Sequence, residues 1–558
     1  MVKKMFKKIT KEGLFECLVF VLAFLLYTTY NLANNDLGYD RIWTFHMTQK
    51  IAMGEIPYSE INIIITPLFY QLGALLFNIT GQANLAMYSV YGGLICGFVI
   101  LMTYKLIKEF SSNSNISFFA SCIISKFLCI LCETNYNSLL LGLILTVVYL
   151  ELQREKKKEK STKYNIIIGF VLGLGAAVKH NVGGVIIIAS LILPIIKKCV
   201  YKEKNVSFKE IGYKLIGICV IGLIYLIWLI SVGALESFID FALLGMFDFA
   251  EKNSIGGYTN LLTLLSAAII YTTFLLDSTL KNKENEKNNI WLIMGVYALA
   301  GVTYIIPLCN PWHSILGSML SIILLFCFCT KGCSKNNRKA MLCIMVAFWL
   351  VNVMINFTIG EIDEEITEVT RWDRFYEIYS VFNFIAISLI IGMIIFNKLK
   401  IGGIIAFLVM ILAPIATNTY VWRTNVKEND MYYISEYSCI GLSNEEMKDI
   451  LEVNDYILKK ENEGYKVLIM DIEASRYMVP LHKNNYKYDL MLNGNLGFKG
   501  EKRLIEETKQ IEKLIVLRQK PEVETIPIQQ PEKIDEFIED YYVRIGEIND
   551  LEIYGMVE

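Results

Sequence analysis

Charged residues are scarce in this chain of 558 residues, where they make up 19%, while apolar residues make up 54%. No basic tract with interleaved aromatic residues occurs, so nucleic acid is not an expected partner. Most of the 13 cysteines are scattered through apolar runs. The polar C-terminal region has only Cys439, which excludes a disulfide framework there. Cys129 and Cys132 form a C-x-x-C inside a predicted helix, where buried packing thiols are expected.

Long apolar runs separated by short, lysine-rich loops dominate the rest of the chain. Only helices and closed barrels satisfy their backbone hydrogen bonds in lipid, and barrel strands would alternate apolar and polar residues over about 10 positions. These runs do not alternate, so they indicate helices. Thirteen transmembrane helices are predicted at 14–33, 84–104, 116–132, 136–150, 164–180, 181–196, 211–233, 259–278, 290–307, 314–330, 340–357, 375–396 and 400–420.

The basic residues of the loops predict the orientation. Loops on the side of the N-terminus carry 27 Lys and Arg residues, and loops on the other side carry 6. Because basic residues concentrate in cytoplasmic loops, we expect a cytoplasmic N-terminus. The first run lacks a small-residue cleavage site and is expected to stay as a helix. The run 66–80 would be about 22 Å long as a helix, and we place it against the outer leaflet, since an extra crossing would turn the loop REKKKEKSTK outward.

The composition becomes polar after Tyr420, which predicts two domains, a membrane domain at 1–420 and an α/β domain at 421–558. EEMKDILEVNDYILKKENEGY predicts an amphipathic helix that ends at Gly464. KVLIMDI and EKLIVLRQ predict buried strands, and YDLMLNGNLG (488–497) predicts a strand followed by a turn. The fold class is therefore a polytopic α-helical membrane protein with a C-terminal extracytoplasmic α/β domain, for which an acceptor-binding or covering role is expected.

Polar residues cluster at the helix ends on the predicted outer side. Such a layout suits a substrate with a lipid tail and a charged head, because cations at the interface can bind a phosphate and a neighbouring carboxylate can act as general base. The clusters are Asp36, Asp40 and Arg41; Glu133, Asn135 and Tyr136; Lys179, His180 and Asn181; Asp248 and Glu251; and Asn310, Trp312 and His313.

The stretch DLGYDRIWTFHMTQKIAMGEIPYSEINIIITPLFYQLGALLFNITG (36–81) resembles the first extracytoplasmic loop of GT-C glycosyltransferases, in the branch of the protein O-mannosyltransferases and the aminoarabinose lipid A transferases. That loop, 34–83 here, has the form D-x-x-Y, a helix, G-x-x-P-Y and a proline before an apolar run. The elements that match are Asp36, Tyr39, Gly54, Pro57 with Tyr58, and Pro67. The usual Pro-Pro is Thr66–Pro67 here, and a cation often found near that point is absent.

Two further stretches agree with this resemblance, which covers roughly residues 10–420. GFVLGLGAAVKHNVGG (169–184) is similar to a glycine-rich helix of the family that ends in a lysine, here Lys179. YIIPLCNPWH (304–313) is similar to a Tyr-Pro…His element, which matches His313. The resemblance implies a GT-C fold and an inverting transfer of a sugar from a polyprenyl-phosphate carrier to an acceptor hydroxyl on the outer face of the membrane.

The resemblance also implies roles for individual residues. Asp36 is the expected base and Asp40 the second candidate. Lys179, His313 and Arg41 are expected to bind the donor phosphate, and Tyr39, Tyr58, Asn135 and Tyr136 to contact substrate. No pattern indicates a cofactor or a metal, although the chemistry is compatible with a divalent cation. The Ile-, Lys- and Asn-rich composition favours undecaprenyl as the carrier, and the acceptor is an envelope glycan, a lipid or a protein.

Each candidate also has a structural alternative. Asp36 is a favoured type of helix N-cap. Lys179 is placed where an interfacial lysine would extend to water, and His313 where an aromatic belt would lie. Asp248 and Glu251 have the character of solvated loop charges. The alternatives for the function are a transporter or flippase of lipid-linked saccharides, which would have paired halves and broken helices, and a polymerase or ligase.

Overall fold

The computed structural model describes residues 11–35, 37–111, 114, 117–118, 120–122, 124, 134–157, 162–199, 208–252, 270–271, 273, 289–305, 311–330, 400–470, 472, 474–483, 491, 494–520 and 531–556. The described residues up to 330 are mostly helical. The helices are α1 (Lys11–Ala33), α2 (Tyr39–Ala52), α3 (Leu68–Thr80), α4 (Leu85–Phe110), α5 (Tyr136–Lys157), α6 (Thr162–Val178), α7 (His180–Cys199), α8 (Lys209–Ser231), α9 (Leu235–Phe238), a π-helical turn (Ile239–Leu244), α10 (Gly245–Lys252), α11 (Ile290–Gly301), a 3₁₀ turn (Val302–Ile305) and α12 (Pro311–Thr330).

Five of the described helices are long and apolar enough to cross a membrane: α1, α4, α5, α7 and α8. Shorter apolar helices cover 68–80, 162–178 and 290–304. The helical character predicted from the apolar runs is thus confirmed for these segments. The runs 340–357 and 375–396, and most of 116–132 and 259–278, lie outside the described residues, so the count of thirteen crossings stays a prediction.

Helix α3 is the run 66–80 that we expected against the outer leaflet. It begins after Pro67 and ends at Gly81, whose φ of 67° stops the helix. With 13 residues it is about 20 Å long, shorter than a hydrocarbon core of about 30 Å. One face, with Phe69 and Phe77, is buried, while Ile79 on the other side is 74% exposed. This amphipathic character fits a helix lying against the membrane bundle, and its depth in the bilayer stays a prediction.

Helices α6 and α8 pack very closely. A Cβ on Gly169 of α6 would lie 2.0 Å from the backbone carbonyl oxygen of Lys214, so only glycine permits this crossing. The close approach brings the fully buried ammonium of Lys214 to Glu151 of α5, with which it forms an ion pair. Its Nζ also donates to the carbonyl oxygen of Ser190 on α7, at 3.0 Å.

The pair belongs to a larger buried ionic network at the C-terminal ends of α5 and α7. Arg154 lies 3.0 Å from Glu151 and 2.6 Å from Glu210. Lys197 lies 2.7 Å from Glu155 and is 2% exposed. We call this the inner network. Each of its cations has a carboxylate partner, and such pairing reduces the free-energy cost of burying a charge.

The C-terminal region follows α13 (Lys400–Glu428), which continues through the predicted domain boundary at 420/421. Its elements are α14 (Asn444–Asn462), β1 (Lys466–Met470), α15 (Ser475–Leu481), α16 (Gly500–Thr508), β2 (Leu514–Gln519), α17 (Glu532–Tyr541), β3 (Tyr542–Ile548) and β4 (Leu551–Met556). The four strands form one sheet in the order β1-β2-β4-β3, with β1 parallel to β2 and the other pairs antiparallel.

The predicted helix and the two predicted buried strands of this region are confirmed. A capping box between Ser443 and Glu446 begins α14, and the positive φ of Gly464 (86°) follows its end. In the stretch 488–497, Met491 and residues 494–497 are not in a strand, and the other residues lie outside the described part of the chain. The division into two independent domains stays a prediction.

The C-terminal region is docked on the first loop through a buried histidine. His46 of α2 has no exposed surface. Its Nε2 lies 3.0 Å from the carbonyl oxygen of Lys483, and its Nδ1 lies 3.2 Å from the hydroxyl of Ser475. Burial lowers the pKa of His46 to about 3, so the ring is neutral, with Nε2 donating to the carbonyl and Nδ1 accepting from the hydroxyl. This joint fixes α2 against α15.

Candidate functional site

Lys179 lies in the turn between α6 and α7, outside both helices, and only 7% of it is exposed. Its Nζ donates to Oδ1 of Asn137 at 2.8 Å. Two aromatic rings complete its surroundings, with centroids 5.1 Å (Tyr136) and 5.6 Å (Tyr304) from Nζ. No carboxylate of the described residues forms an ion pair with Lys179. Among the described residues the lysine is thus held by an amide oxygen and two π faces, and none of these direct partners carries a negative charge.

Burial lowers the pKa of Lys179 to about 7, and the charge of Asp40 opposes this effect. Asp40 lies in the first turn of α2 and is exposed. Its charge also reaches Tyr136 and Tyr70, so the carboxylate and the lysine belong to one electrostatic environment. The predicted second candidate for the base and the predicted phosphate ligand are therefore within electrostatic reach of each other.

Asn135 and Asn137 have different tasks at the start of α5. Oδ1 of Asn135 accepts from the backbone N–H of Asn137 at 3.0 Å and of Ser138 at 3.3 Å, as an N-cap does. This cap presents Asn137 to Lys179. The hydroxyl of Tyr304 donates to the carbonyl oxygen of Asn137 at 3.4 Å. Asn135, which we expected to touch substrate, therefore uses its side chain to build the site.

Arg41 is 4% exposed, and its guanidinium closes the end of α1. Nη2 donates to the carbonyl oxygen of Asn31 at 2.8 Å, and Nη1 donates to that of Asn34 at 2.9 Å. Carbonyl groups at a helix C-terminus have no partner within the helix, and cations commonly bind them. The structure thus gives Arg41 a local role in joining α1 to α2.

Tyr58 is buried within the first loop. Its hydroxyl donates to the carbonyl oxygen of Ile65 at 2.7 Å, and its ring meets that of Phe238 at 5.3 Å between centroids. Burial raises the pKa of Tyr58 well above its usual value. Its φ of 73° is uncommon for a residue with a side chain. These contacts make Tyr58 part of the frame that shapes the loop.

The remaining predicted residues are placed as follows. His313 lies in the first turn of α12, half-buried, where the charge of Lys179 reaches it. Tyr39 is the first residue of α2. Asp36 lies outside the described residues. The roles of these three side chains stay predictions.

Sequence reasoning did not single out two residues that contact Lys179, Asn137 and Tyr304. Tyr304 begins the stretch YIIPLCNPWH, and Asn137 follows Asn135 by two positions, so both were adjacent to motifs that had been recognised. His180, the neighbour of Lys179, is also notable. Its imidazole is buried beside the carbonyl group of Ala242, without a regular hydrogen bond to any described residue.

The first loop contacts the last turn of α6, just before Lys179. The hydroxyl of Thr66 donates to the carbonyl oxygen of Ala176 at 2.9 Å, three residues before Lys179. Among the residues that the structure describes, no group of three or more His, Cys, Asp or Glu side chains is placed to hold a metal ion. The described site is therefore an assembly of a buried cation, an exposed carboxylate and aromatic rings.

The fold of this chain is similar to that of a solved membrane protein, ArnT, which is the kind of fold that the sequence resemblance implied. The chain is similar to ArnT from Cupriavidus metallidurans bound to undecaprenyl phosphate, with a TM-score of 0.55 and 11% sequence identity over 97% of this chain and 98% of that chain. The apo state of the same ArnT gives a TM-score of 0.52 at 11% identity, over 98% and 97% of the two chains. No family model matches the sequence, and no curated protein matches it.

Proposed function

We propose that the protein is an inverting glycosyltransferase that moves a sugar from a polyprenyl-phosphate carrier to an acceptor hydroxyl. The observation that carries this proposal is the buried Lys179, whose hydrogen-bond and ring partners among the described residues are neutral and which lies in the field of Asp40. A buried cation without a counter-ion is costly unless a ligand brings the negative charge. A phosphate group supplies that charge, and the carboxylate supplies the base that glycosyl transfer needs.

The reaction is a single displacement at the anomeric carbon. The acceptor oxygen forms a bond to this carbon while the bond from the carbon to the phosphate oxygen breaks, and the phosphate leaves with the electron pair. The hydroxyl proton passes to Asp36, with Asp40 as the second candidate. Lys179 stabilises the charge that grows on the leaving phosphate, which is the interaction that strengthens in the transition state.

Lys179 is a better phosphate ligand than Arg41 in this structure. The guanidinium of Arg41 already donates to two backbone carbonyl groups, whereas the ammonium of Lys179, which has three N–H groups, donates to one amide oxygen among the described residues. His313, which lies in the field of Lys179, is proposed as a second donor. Tyr39 and Tyr136 are proposed to line the sugar site.

Undecaprenyl phosphate is the proposed carrier, supported by the similarity to ArnT solved with that lipid. We further propose that the N-terminus is cytoplasmic and that the site and residues 421–558 face the outside, since this orientation places the basic loops in the cytoplasm. The acceptor is then a glycan, lipid or protein of the cell envelope.

The test compares envelope glycans and polyprenyl-phosphate sugars by mass spectrometry in cells with wild type, Asp36→Asn or Asp40→Asn at equal protein levels. Loss of one glycan with accumulation of its lipid-linked donor is expected for the variant that lacks the base. Glu251→Gln, which alters an exposed carboxylate of α10, is the matched control and should leave the glycans unchanged. Unchanged glycans in both Asp variants, with a defect in cells lacking the whole protein, would contradict the assignment of the base.

A further inference from the structure

One segment of the C-terminal region, residues 494–503, binds the π-helical turn beside the site through hydrogen bonds and an ion pair. We call this segment the strap. The backbone N–H of Phe498 donates to the carbonyl oxygen of Asp240 at 3.1 Å. The N–H of Lys499 donates to the Asp240 carboxylate, also at 3.1 Å. The guanidinium of Arg503 pairs with the same carboxylate. Three groups of one segment therefore hold a single buried aspartate.

The turn that is gripped borders the lysine. It is a π-helix, Ile239–Leu244, a rare conformation that often marks functional sites. The ring of Phe241 is covered by the guanidinium of Arg503, 4.2 Å from the ring centroid. The next residue, Ala242, is fully buried and has the imidazole of His180 beside its carbonyl group. His180 is the direct neighbour of Lys179.

The strap also contacts the first loop. The side-chain amide of Asn62, in the first loop, donates to the carbonyl oxygen of Asn495 at 2.8 Å. Four residues later, Thr66 donates to Ala176 in the last turn of α6, just before Lys179. One segment is thus joined to two elements, of which the first loop contacts α6 just before Lys179 and the π-helical turn contacts His180 just after it.

We propose that the strap is a positioning element that fixes the turn of Lys179, so that the C-terminal region sets the phosphate affinity of a site it does not itself form. This inference rests on the proposed phosphate-binding role of Lys179. Arg503 and Gly497 act through the π-helical turn and the first loop and do not touch the ligand. Because the strap contacts both the π-helical turn and the first loop, it restricts the turn of Lys179 to one arrangement. This preorganisation strengthens ligand binding.

Gly497 allows the strap to be loosened without a change of charge. Its φ is 77°, and a Cβ there would lie 2.7 Å from the ring of Phe241 and 3.0 Å from the Asp240 carboxylate. Gly464, with a φ of 86°, has no atom within 4 Å of an added Cβ. Gly497→Ala and Gly464→Ala therefore carry a similar backbone strain, but only the first pushes the strap away from the turn.

The experiment measures the Kd for undecaprenyl phosphate with the full-length protein in lipid nanodiscs. Arg503→Gln and Gly497→Ala are expected to raise the Kd about tenfold, within the range that coupling substitutions produce. Gly464→Ala and Arg544→Gln, which breaks an exposed pair with Glu547, are expected to keep the wild-type Kd. Hydrogen exchange at the N–H groups of Phe498 and Lys499 should become faster in the strap variants only.

A Kd separates positioning from simple loss of folded protein, because unfolding lowers the number of sites and leaves the affinity of the rest unchanged. An unchanged Kd in both strap variants, despite faster exchange, overturns the inference, and the proposed function stands if Lys179→Met still loses affinity. A wild type that does not bind, or a Lys179→Met that binds equally well, overturns both.

Discussion

Two buried lysines, Lys214 and Lys179, contact α5 near its opposite ends and have different surroundings. Lys214 belongs to the inner network, where Glu151 pairs with it and Arg154 and Glu210 extend the chain of charges. Lys179 has an amide oxygen and two aromatic rings. The first lysine has a directly paired carboxylate, whereas no described carboxylate forms an ion pair with the second. This difference supports the proposal that Lys179 binds a ligand while Lys214 is structural, because the two lysines differ in their partners and not in their burial.

Neutralising each lysine in turn gives the largest contrast. Lys214→Met leaves the carboxylate of Glu151 buried with one cation fewer, so we expect a loss of about 3–5 kcal/mol in the free energy of unfolding. Lys179→Met removes an uncompensated charge, so stability is expected to stay or rise, while affinity for undecaprenyl phosphate falls roughly 100-fold or more. Denaturant unfolding and lipid binding measure the two effects. Equal destabilisation by both variants would contradict the comparison.

Asn137→Asp should convert the binding lysine into a structural one. The substitution places a carboxylate where the amide oxygen now lies 2.8 Å from Nζ of Lys179. The new ion pair then competes with phosphate, and affinity should fall by about 10- to 100-fold, as a coupling of a few kcal/mol implies. Asn137→Ala, which removes the amide without adding charge, is the control and should cost less. A variant that binds phosphate as tightly as wild type would show that the charge of Lys179 is not used.

The pH dependence of binding gives a further, smaller effect. Because burial lowers the pKa of Lys179 to about 7, the lysine is protonated below pH 7 and neutral above it in the empty protein. Affinity for the phosphate should therefore fall by about tenfold for each pH unit above that pKa. Lys179→Arg stays charged and should bind with a flatter profile. Parallel profiles for the two proteins between pH 7 and 9 would contradict the lowered pKa.

The aromatic partners of Lys179 should contribute least to the phosphate affinity. Tyr304→Leu removes one π face from Lys179 and is expected to weaken phosphate binding by about 0.5–1 kcal/mol, which is a few-fold in Kd. Tyr304→Phe keeps the ring face that lies near Nζ of Lys179 and should bind nearly as wild type, since the hydrogen bond from the hydroxyl to Asn137 is long, at 3.4 Å. Equal losses in the two variants would assign the effect to the hydroxyl instead.

Much of the fold could be predicted because membrane helices and buried strands have strong local patterns. The apolar runs gave the helices around Lys179, and Gly464 gave the end of α14. The boundary at 420/421 was less well predicted, since α13 continues with polar residues after its apolar part ends. Local composition records where the chain leaves an apolar environment, and a helix can extend beyond that point.

The candidate site was only partly predictable for a different reason. Lys179 matched a motif, but its partner Asn137 is 42 residues away, and Arg503 is 263 residues from Asp240. Such pairs depend on tertiary packing, which no local pattern records. Arg41 was expected at the phosphate because of its charge, while the structure uses its guanidinium for the open carbonyl groups of α1. Side-chain type alone does not distinguish these two uses.

Helix α13 has 29 residues and is therefore about 43 Å long, against a hydrocarbon core of about 30 Å. The predicted last crossing and the start of the C-terminal region belong to one helix, with Pro414 inside it. In the proposed orientation, this helix would set the distance between the sheet and the lipid surface. Acceptors anchored close to the bilayer would then lie within reach of the proposed site, and a change in bilayer thickness would alter which part of the acceptor meets the donor.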